Sequence, residues 1–228
     1  MRIHLLTLGL LLVTACTPIA TATPLPTPQL ITVAITPTLR PWHDILHKCA
    51  TANPEIALIL EEKPETSLEV GAADLILRVG APPEGIPGSA ALLGWEEILI
   101  IAHPETKFDN WDIAKLHDIY TASPTPYQIW TYSPGSELRQ IFDAAVLNAR
   151  TSPYAFLAPD PAAMLEAVAN DKRAIGYLPK SWLNDAVRPV NVGSDLQNVL
   201  RQPILALTDT EPEGVMRAFL VCVQEAQR

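Results

Sequence analysis

QIWTYSPGSELRQIFDAAVLNA, residues 128–149, reads as a short strand (Gln128 to Tyr132), a turn (Ser133-Pro134-Gly135-Ser136) and a helix. The helix follows from Leu138, Ile141, Phe142, Ala145 and Val146, which are apolar at i, i+3, i+4, i+7 and i+8. Two starts compete: Ser133 as cap with Pro134 at the first helical position, or Ser136 as cap. With either start, free backbone amides and small hydroxyl side chains face the space beyond the strand's carboxyl end. Unsatisfied amides and the positive end of the helix dipole make that an anion-binding geometry in outline. An ordinary capped strand-to-helix turn looks the same, so the flanking sequence has to decide.

Outward from this stretch, strands and amphipathic helices alternate. Upstream, Glu97 to Ala102 is an apolar run, and Asn110 is placed to cap a helix carrying Ile113, Leu116 and Tyr120. Downstream, Asp160-Pro161 opens a helix with Met164, Leu165 and Val168, and Ala174 to Leu178 is a strand. Ser181 to Ala186 reads as a short helix, and Val187 to Val192 and Ile204 to Leu207 as strands. The last helix, from Pro212, turns Val215, Met216, Phe219, Leu220 and Val223 inward. Near the start, strand Leu30 to Ile35 runs into Thr36-Pro37, a cap with proline at the first helical position. That helix carries Leu39, Trp42, Leu46, Cys49 and Ala50 on one face. Ile56 to Leu60 and Asp74 to Val79 are strands with a short helix from Pro64 to Ala72 between them, and Pro82 to Ser89 is a loop. Continuous apolar strands alternating with helices mean an α/β protein with mostly parallel sheets. In such sheets ligands bind outside the carboxyl ends of the strands.

The chain opens MRIHLLTLGLLLVTAC. Arg2 gives a positive start, Leu5 to Val13 an apolar stretch too short to span a bilayer comfortably, and Thr14-Ala15 small residues before Cys16. Val13-Thr14-Ala15-Cys16 resembles the lipobox of bacterial lipoproteins. That implies a signal peptide over 1–15, cleavage before Cys16 and diacylglycerol on its sulfur; a plain secretory peptide is the runner-up. Residues 16–29 follow as a tether, with prolines at 18, 24, 26 and 28 among Thr and Ala. The expected location is the bacterial cell envelope, on the extracytoplasmic face of a membrane.

The formal net charge is −9 and stays negative once Arg2 is removed. With no basic patch, nucleic acid is a poor partner. Acidity weakens long-range attraction of anions but leaves local amides free to bind them. No later run is apolar and long enough to cross a membrane. With Cys16 acylated, Cys49 and Cys222 remain, and an exported protein allows them to pair. Both fall on apolar helical faces, so two buried thiols are the alternative.

Six segments in order carry a family resemblance. They are the first strand with Thr36-Pro37-Thr38, then Ala73-Asp74-Leu75-Ile76, then the Ile98 to Ala102 strand followed by Asn110 to Tyr120. Tyr132 to Phe142, Ala174-Ile175-Gly176-Tyr177-Leu178 and the apolar helix around Phe219 complete the order. Together they resemble type 2 periplasmic solute-binding proteins, specifically the phosphate-binding branch. KLHDIYTA stands where that branch has a helix ending in Ile-Phe, and AIGYLP matches its return strand. The resemblance spans Leu30 to Gln227 and implies two α/β lobes joined by a two-strand hinge, gripping a ligand between them. Lobe one would be 30–102 plus 187–228, and lobe two 103–186. Cys49 and Cys222 then share a lobe, which permits the disulfide. Also implied are no chemistry, no metal and no cofactor. The expected protein is a monomer that passes a small anionic or polar solute to an ABC transporter permease. A sensor or assembly lipoprotein on the same scaffold is the rival.

The implied cleft is lined by Thr36, Thr38, Ser67, Arg78, Tyr132, Ser133, Gly135, Ser136 and Arg139. Residue by residue it departs from the phosphate-binding pattern. That branch has Gly-Ser-Gly-Thr at its second-lobe helix; here Gly135-Ser136 match, and Glu137-Leu138 follow. An arginine usually stands four residues before that serine, where this chain has Tyr132. The third strand usually ends in aspartate or serine, where this chain has Arg78-Val79-Gly80. Arg139 matches an arginine that often follows the run, and Asp74 matches a structural Ala-Asp pair. Losing a bidentate guanidinium and gaining a carboxylate both work against a dianion, with Arg78 as one replacement cation. Weak or absent phosphate binding is the expectation.

Other constellations carry less. His43 and His47 have a chelating i, i+4 spacing, but two ligands do not make a metal site. Ser136 lacks a Gly-x-Ser-x-Gly elbow, which argues against a hydrolase. Glu61-Glu62 and Glu96-Glu97 flank strand ends and read as solvated. Neither Gly-x-Gly-x-x-Gly nor a nucleotide phosphate loop is present. Trp95, Trp130 and Trp182 are scattered and read as packing.

Overall fold

The structure, a computed structural model, describes residues 27–82, 88–107, 111–122 and 125–227. Cys16, the signal segment and most of the tether lie outside the described residues, as do Asn110 and most of the loop before Ser89.

β1 (Gln29–Ile35) ends at Thr36, and a 3-10 turn (Pro37–Trp42) continues into α1 (His43–Ala52). Leu39, Trp42, Leu46, Cys49 and Ala50 are buried, as their spacing predicts. β2 (Ile56–Glu62) and β3 (Leu75–Val79) flank β1 in parallel. β4 (Ser89–Ala102) leads to α2 (Ile113–Thr121), capped by Asp112, whose carboxylate accepts from Lys115 N at 2.8 Å. β5 (Gln128–Tyr132) leads through a turn to α3 (Glu137–Phe142), which continues as a π turn over Asp143–Leu147. β6 (Phe156–Ala158) follows. Next is α4 (Pro161–Asn170), capped by Asp160 with Pro161 in its first turn. β7 (Ala174–Pro179), β8 (Arg188–Pro189), α5 (Ser194–Val199), β9 (Arg201–Thr208) and α6 (Gly214–Glu225) complete the order.

The nine strands form one sheet in the order β2-β1-β3-β9-β4-β7-β5-β6, with β8 beside β4. Pairing is parallel among β2, β1 and β3 and among β6, β5 and β7. β4 and β9 join these two sets through antiparallel pairs.

The pairings of β4 define the hinge. Residues 89–97 pair with β9, whereas 98–102 pair with β7. Ile98 N donates to Leu200 O at 3.0 Å, so the two chain crossings lie side by side. One core gathers Ile31, Leu46, Leu77 and Phe219; the other gathers Ile100, Tyr120, Phe142 and Tyr177. Divided there, the lobes are 29–97 with 201–227, and 98–200. Ile98, Ile100, Val187, Val190, Leu196 and Leu200 bury in the same core as Tyr120 and Phe142.

Several local readings differ from the sequence expectation. β4 starts at Ser89 rather than near Glu97, because its first half buries Leu93 while Leu92 and Trp95 stay exposed around a bulge. The segment from Pro64 forms only a 3-10 turn, Glu65–Ser67, being too short to repay helix nucleation. Lys180–Trp182 is likewise a single 3-10 turn. Cys49 on α1 and Cys222 on α6 form a disulfide within lobe one, with Cα atoms 5.8 Å apart. Among the described residues no helix is long and apolar enough to cross a membrane.

Candidate functional site

The carboxyl ends of β1, β3 and β5 converge where the lobes meet. β1 delivers Thr36, β3 delivers Arg78 and Val79, and the turn after β5 delivers Gly135, Ser136 and Glu137. Of the two helix starts, the later one is adopted: Ser136 is the cap residue, although its side chain makes no capping bond. Leu138, Phe142 and Val146 bury into lobe two. Glu137, first in the helix, is left to reach across the gap.

Two glycines let the backbones approach. A Cβ on Gly135 would stand 2.7 Å from Thr66 Cγ2 across the lobe contact. Gly80, at φ +80°, has Ile141 Cδ1 2.9 Å from the same position.

Glu137 crosses from lobe two into lobe one. Thr36 Oγ1 donates to Glu137 Oε1 at 2.8 Å, and Val79 N donates to Oε2 at 3.2 Å. Thr36 is 0 % exposed and Thr38 and Glu137 are each 1 % exposed, so the carboxylate is sealed from solvent. Burial pushes its pKa up to about 7. The Thr36 hydroxyl pulls it back, Glu65 pushes it further up, and Arg78 and Thr38 pull it down. Glu65 faces the same region, accepting from Ser136 Oγ at 3.4 Å. Arg78 Nε is buried without a hydrogen-bond partner among the described residues.

Further contacts hold the lobes together. Trp182 Nε1 donates to Thr38 O at 2.7 Å. Arg40 lies 3.6 Å from Asp160 and 5.4 Å over the Trp182 ring, while Lys180 pairs with Glu97 at 3.0 Å. Glu96, expected in solvent, is buried at the hinge and accepts from Glu97 N at 3.0 Å and Ser181 N at 3.4 Å.

The structure therefore brings Thr36, Thr38, Arg78, Gly135 and Ser136 to the lobe contact. Tyr132 and Arg139 are turned inward within lobe two. The Tyr132 hydroxyl donates to Tyr177 O at 2.9 Å, and Arg139 donates to Tyr132 O at 3.0 Å while pairing with Asp143 at 3.3 Å. Ser67 and Ser133 are exposed. Sequence reading places neither the Val79 amide nor Trp182 in the site, and it takes Glu137 as a neighbour opposing a dianion rather than as the group held there. The carboxylate after Gly135-Ser136 was the one visible signal. No group of three His, Cys, Asp or Glu among the described residues is placed to hold a metal.

No family model matches this chain, and no curated protein matches it in sequence. Solved structures do match its fold. A putative phosphate ABC transporter substrate-binding protein with bound phosphate, from Clostridium perfringens, superposes with TM-score 0.73 at 15% identity, covering 86% of this chain and 93% of that one. An ABC-type phosphate transport receptor from Vibrio cholerae gives 0.66 at 16% identity, covering 86% and 94%. The reduced regulatory domain of OxyR2 from Vibrio vulnificus gives 0.63 at 14% identity, covering 90% and 99%. This chain has the type 2 periplasmic-binding fold. In this type 2 periplasmic-binding chain the lobe contact holds one carboxylate through a hydroxyl and an amide, in a dry setting with a guanidinium charge nearby. Hydrogen bonds to a charged group contribute about 1.5–3 kcal/mol each, against a desolvation cost of several kcal/mol.

Proposed function

We propose that this chain is a membrane-tethered extracytoplasmic receptor for a small anion, anchored through Cys16 and serving an ABC-type uptake system, with no chemistry of its own. One observation carries this reading: the Thr36 hydroxyl and the Val79 amide, at the carboxyl ends of β1 and β3, already hold a carboxylate between the lobes. The phosphate-bound neighbour from Clostridium perfringens supports an anionic ligand class. A dianion is disfavoured, because Glu137 stands in the position and Glu65 faces the same region. Opening would occur about the paired crossings at Glu97–Ile98 and Leu200–Arg201, the hinge movement by which two-lobed binding proteins admit a ligand.

A thermal-shift screen against carboxylates, inorganic oxyanions, sugars and amino acids tests the receptor reading. A ligand at about one hundred times its Kd stabilises by about 2.7 kcal/mol, which is readily seen as a rise in Tm. Silence towards every anion would remove the reading. The second reading, a sensor or assembly lipoprotein, is favoured by the sealed lobe contact and predicts that silence.

A further inference from the structure

The Glu137 side chain stands where the ligand of the proposed receptor would bind. We propose that it is a resident competitor: a tethered propionate in an oxyanion position whose ligand class is the small aliphatic monocarboxylate. An incoming ligand must displace it. This rests on the receptor reading and adds to it the occupant and the ligand class.

The donors match a carboxylate atom for atom. Oε1 receives the Thr36 hydroxyl at 2.8 Å and Oε2 receives the Val79 amide at 3.2 Å, and the Thr38 hydroxyl also favours the charged form. Both donors are buried, and a buried hydroxyl and amide without an acceptor are costly, so the pair demands an anion or another acceptor whenever Glu137 leaves. The charge count sets the class. Burial disfavours charge at this point, Glu65 adds to that and Arg78 offsets part of it, so a second negative charge meets more opposition than a first. The occupant's methylenes are as dry as its carboxylate, since the whole residue is buried. A short alkyl chain replaces them with no loss of solvation, whereas a hydrated tetrahedral oxyanion gains nothing from that part of the space. Finally, the occupant is attached to the chain. A tethered group competes at an effective concentration in the millimolar range or above, so a free ligand of equal intrinsic affinity binds the unmodified protein weakly.

Glu137→Gly removes the tethered carboxylate and leaves Thr36, Val79 and Arg78 in place. Calorimetric titration with sodium propionate should give the glycine variant at least about tenfold higher affinity than the unmodified protein. Adding Thr36→Val should remove about tenfold of that gain or more. Glu137→Gln, whose amide fills the same volume, should gain nothing. Inorganic phosphate should gain less than propionate, and an equal gain for phosphate overturns the ligand class. Equal propionate affinity in the glycine variant and the unmodified protein overturns the competitor and leaves the receptor reading standing. Binding by the glycine variant, with the unmodified protein silent to every anion, overturns the receptor reading and leaves the competitor standing. Silence in both overturns both. Should the glycine variant not fold unaided, native circular dichroism regained by refolding in propionate supports the proposal, and failure to regain it overturns the proposal.

Discussion

Thr36 and Glu137 lie 101 residues apart in the chain and share a 2.8 Å hydrogen bond between buried side chains, one from each lobe. The bond satisfies a carboxylate that has lost its water, and it latches lobe two onto the end of β1. Thr36→Val keeps the shape and removes the donor. The expected loss is about 1–3 kcal/mol of unfolding free energy, measured by urea denaturation. A change below about 0.5 kcal/mol would mean that the bond does not contribute.

Glu137 also sets a pH dependence. Its folded pKa, about 7, lies above the ordinary 4.5, so between these values the folded state holds more protons than the unfolded chain. Its contribution is therefore most favourable below 4.5 and declines as pH rises through about 7. The full span corresponds to about 3 kcal/mol. Glu137→Gln should flatten the decline in that window, followed as unfolding free energy at stepped pH. Glu65→Gln should move the window to lower pH, and Arg78→Met to higher pH. Glu96, whose pKa is also raised by burial, contributes a slope of the same sign that survives these changes. An unaltered slope in the glutamine variant would remove Glu137 as its source.

The disulfide between Cys49 and Cys222 closes a loop across a sequence separation of 173 and ties α1 to the last helix. Replacing both cysteines with alanine is expected to cost about 2–5 kcal/mol. Alkylation and mass spectrometry of the unreduced protein should find neither thiol free.

For the anchor, Cys16→Ser should move the protein from the membrane fraction to the soluble fraction. Tight association that persists without the sulfur would exclude lipidation at that position.

Much of the fold is legible in the sequence where local and global signals agree. α4 begins at Asp160-Pro161 and buries Met164 and Val168, and α6 buries Phe219, Leu220 and Val223, as periodicity and capping predict. Reading fails where one face alone is buried, as in the first half of β4, or where a segment has too few residues for a pattern, as in β6 and α5. Val187 and Val190 read as strand residues of either lobe, because sequence does not say which core they enter. That Thr36, Arg78, Gly135 and Ser136 stand at strand and helix ends was legible, and these four lie at the lobe contact. The direction of Glu137 was not legible. It is seen only in the contacts Glu137 makes to Thr36 and Val79, on segments far away in the chain.

Whether Glu137 fills the oxyanion position is read most directly from the amide that donates to it. In a pH titration followed by two-dimensional proton–nitrogen NMR, the Val79 amide should shift with a single midpoint near 7, as its acceptor gains or loses a proton. That shift should disappear in Glu137→Gln. A Val79 amide that stays still through the same range in the unmodified protein would contradict the presence of the Glu137 carboxylate between the lobes.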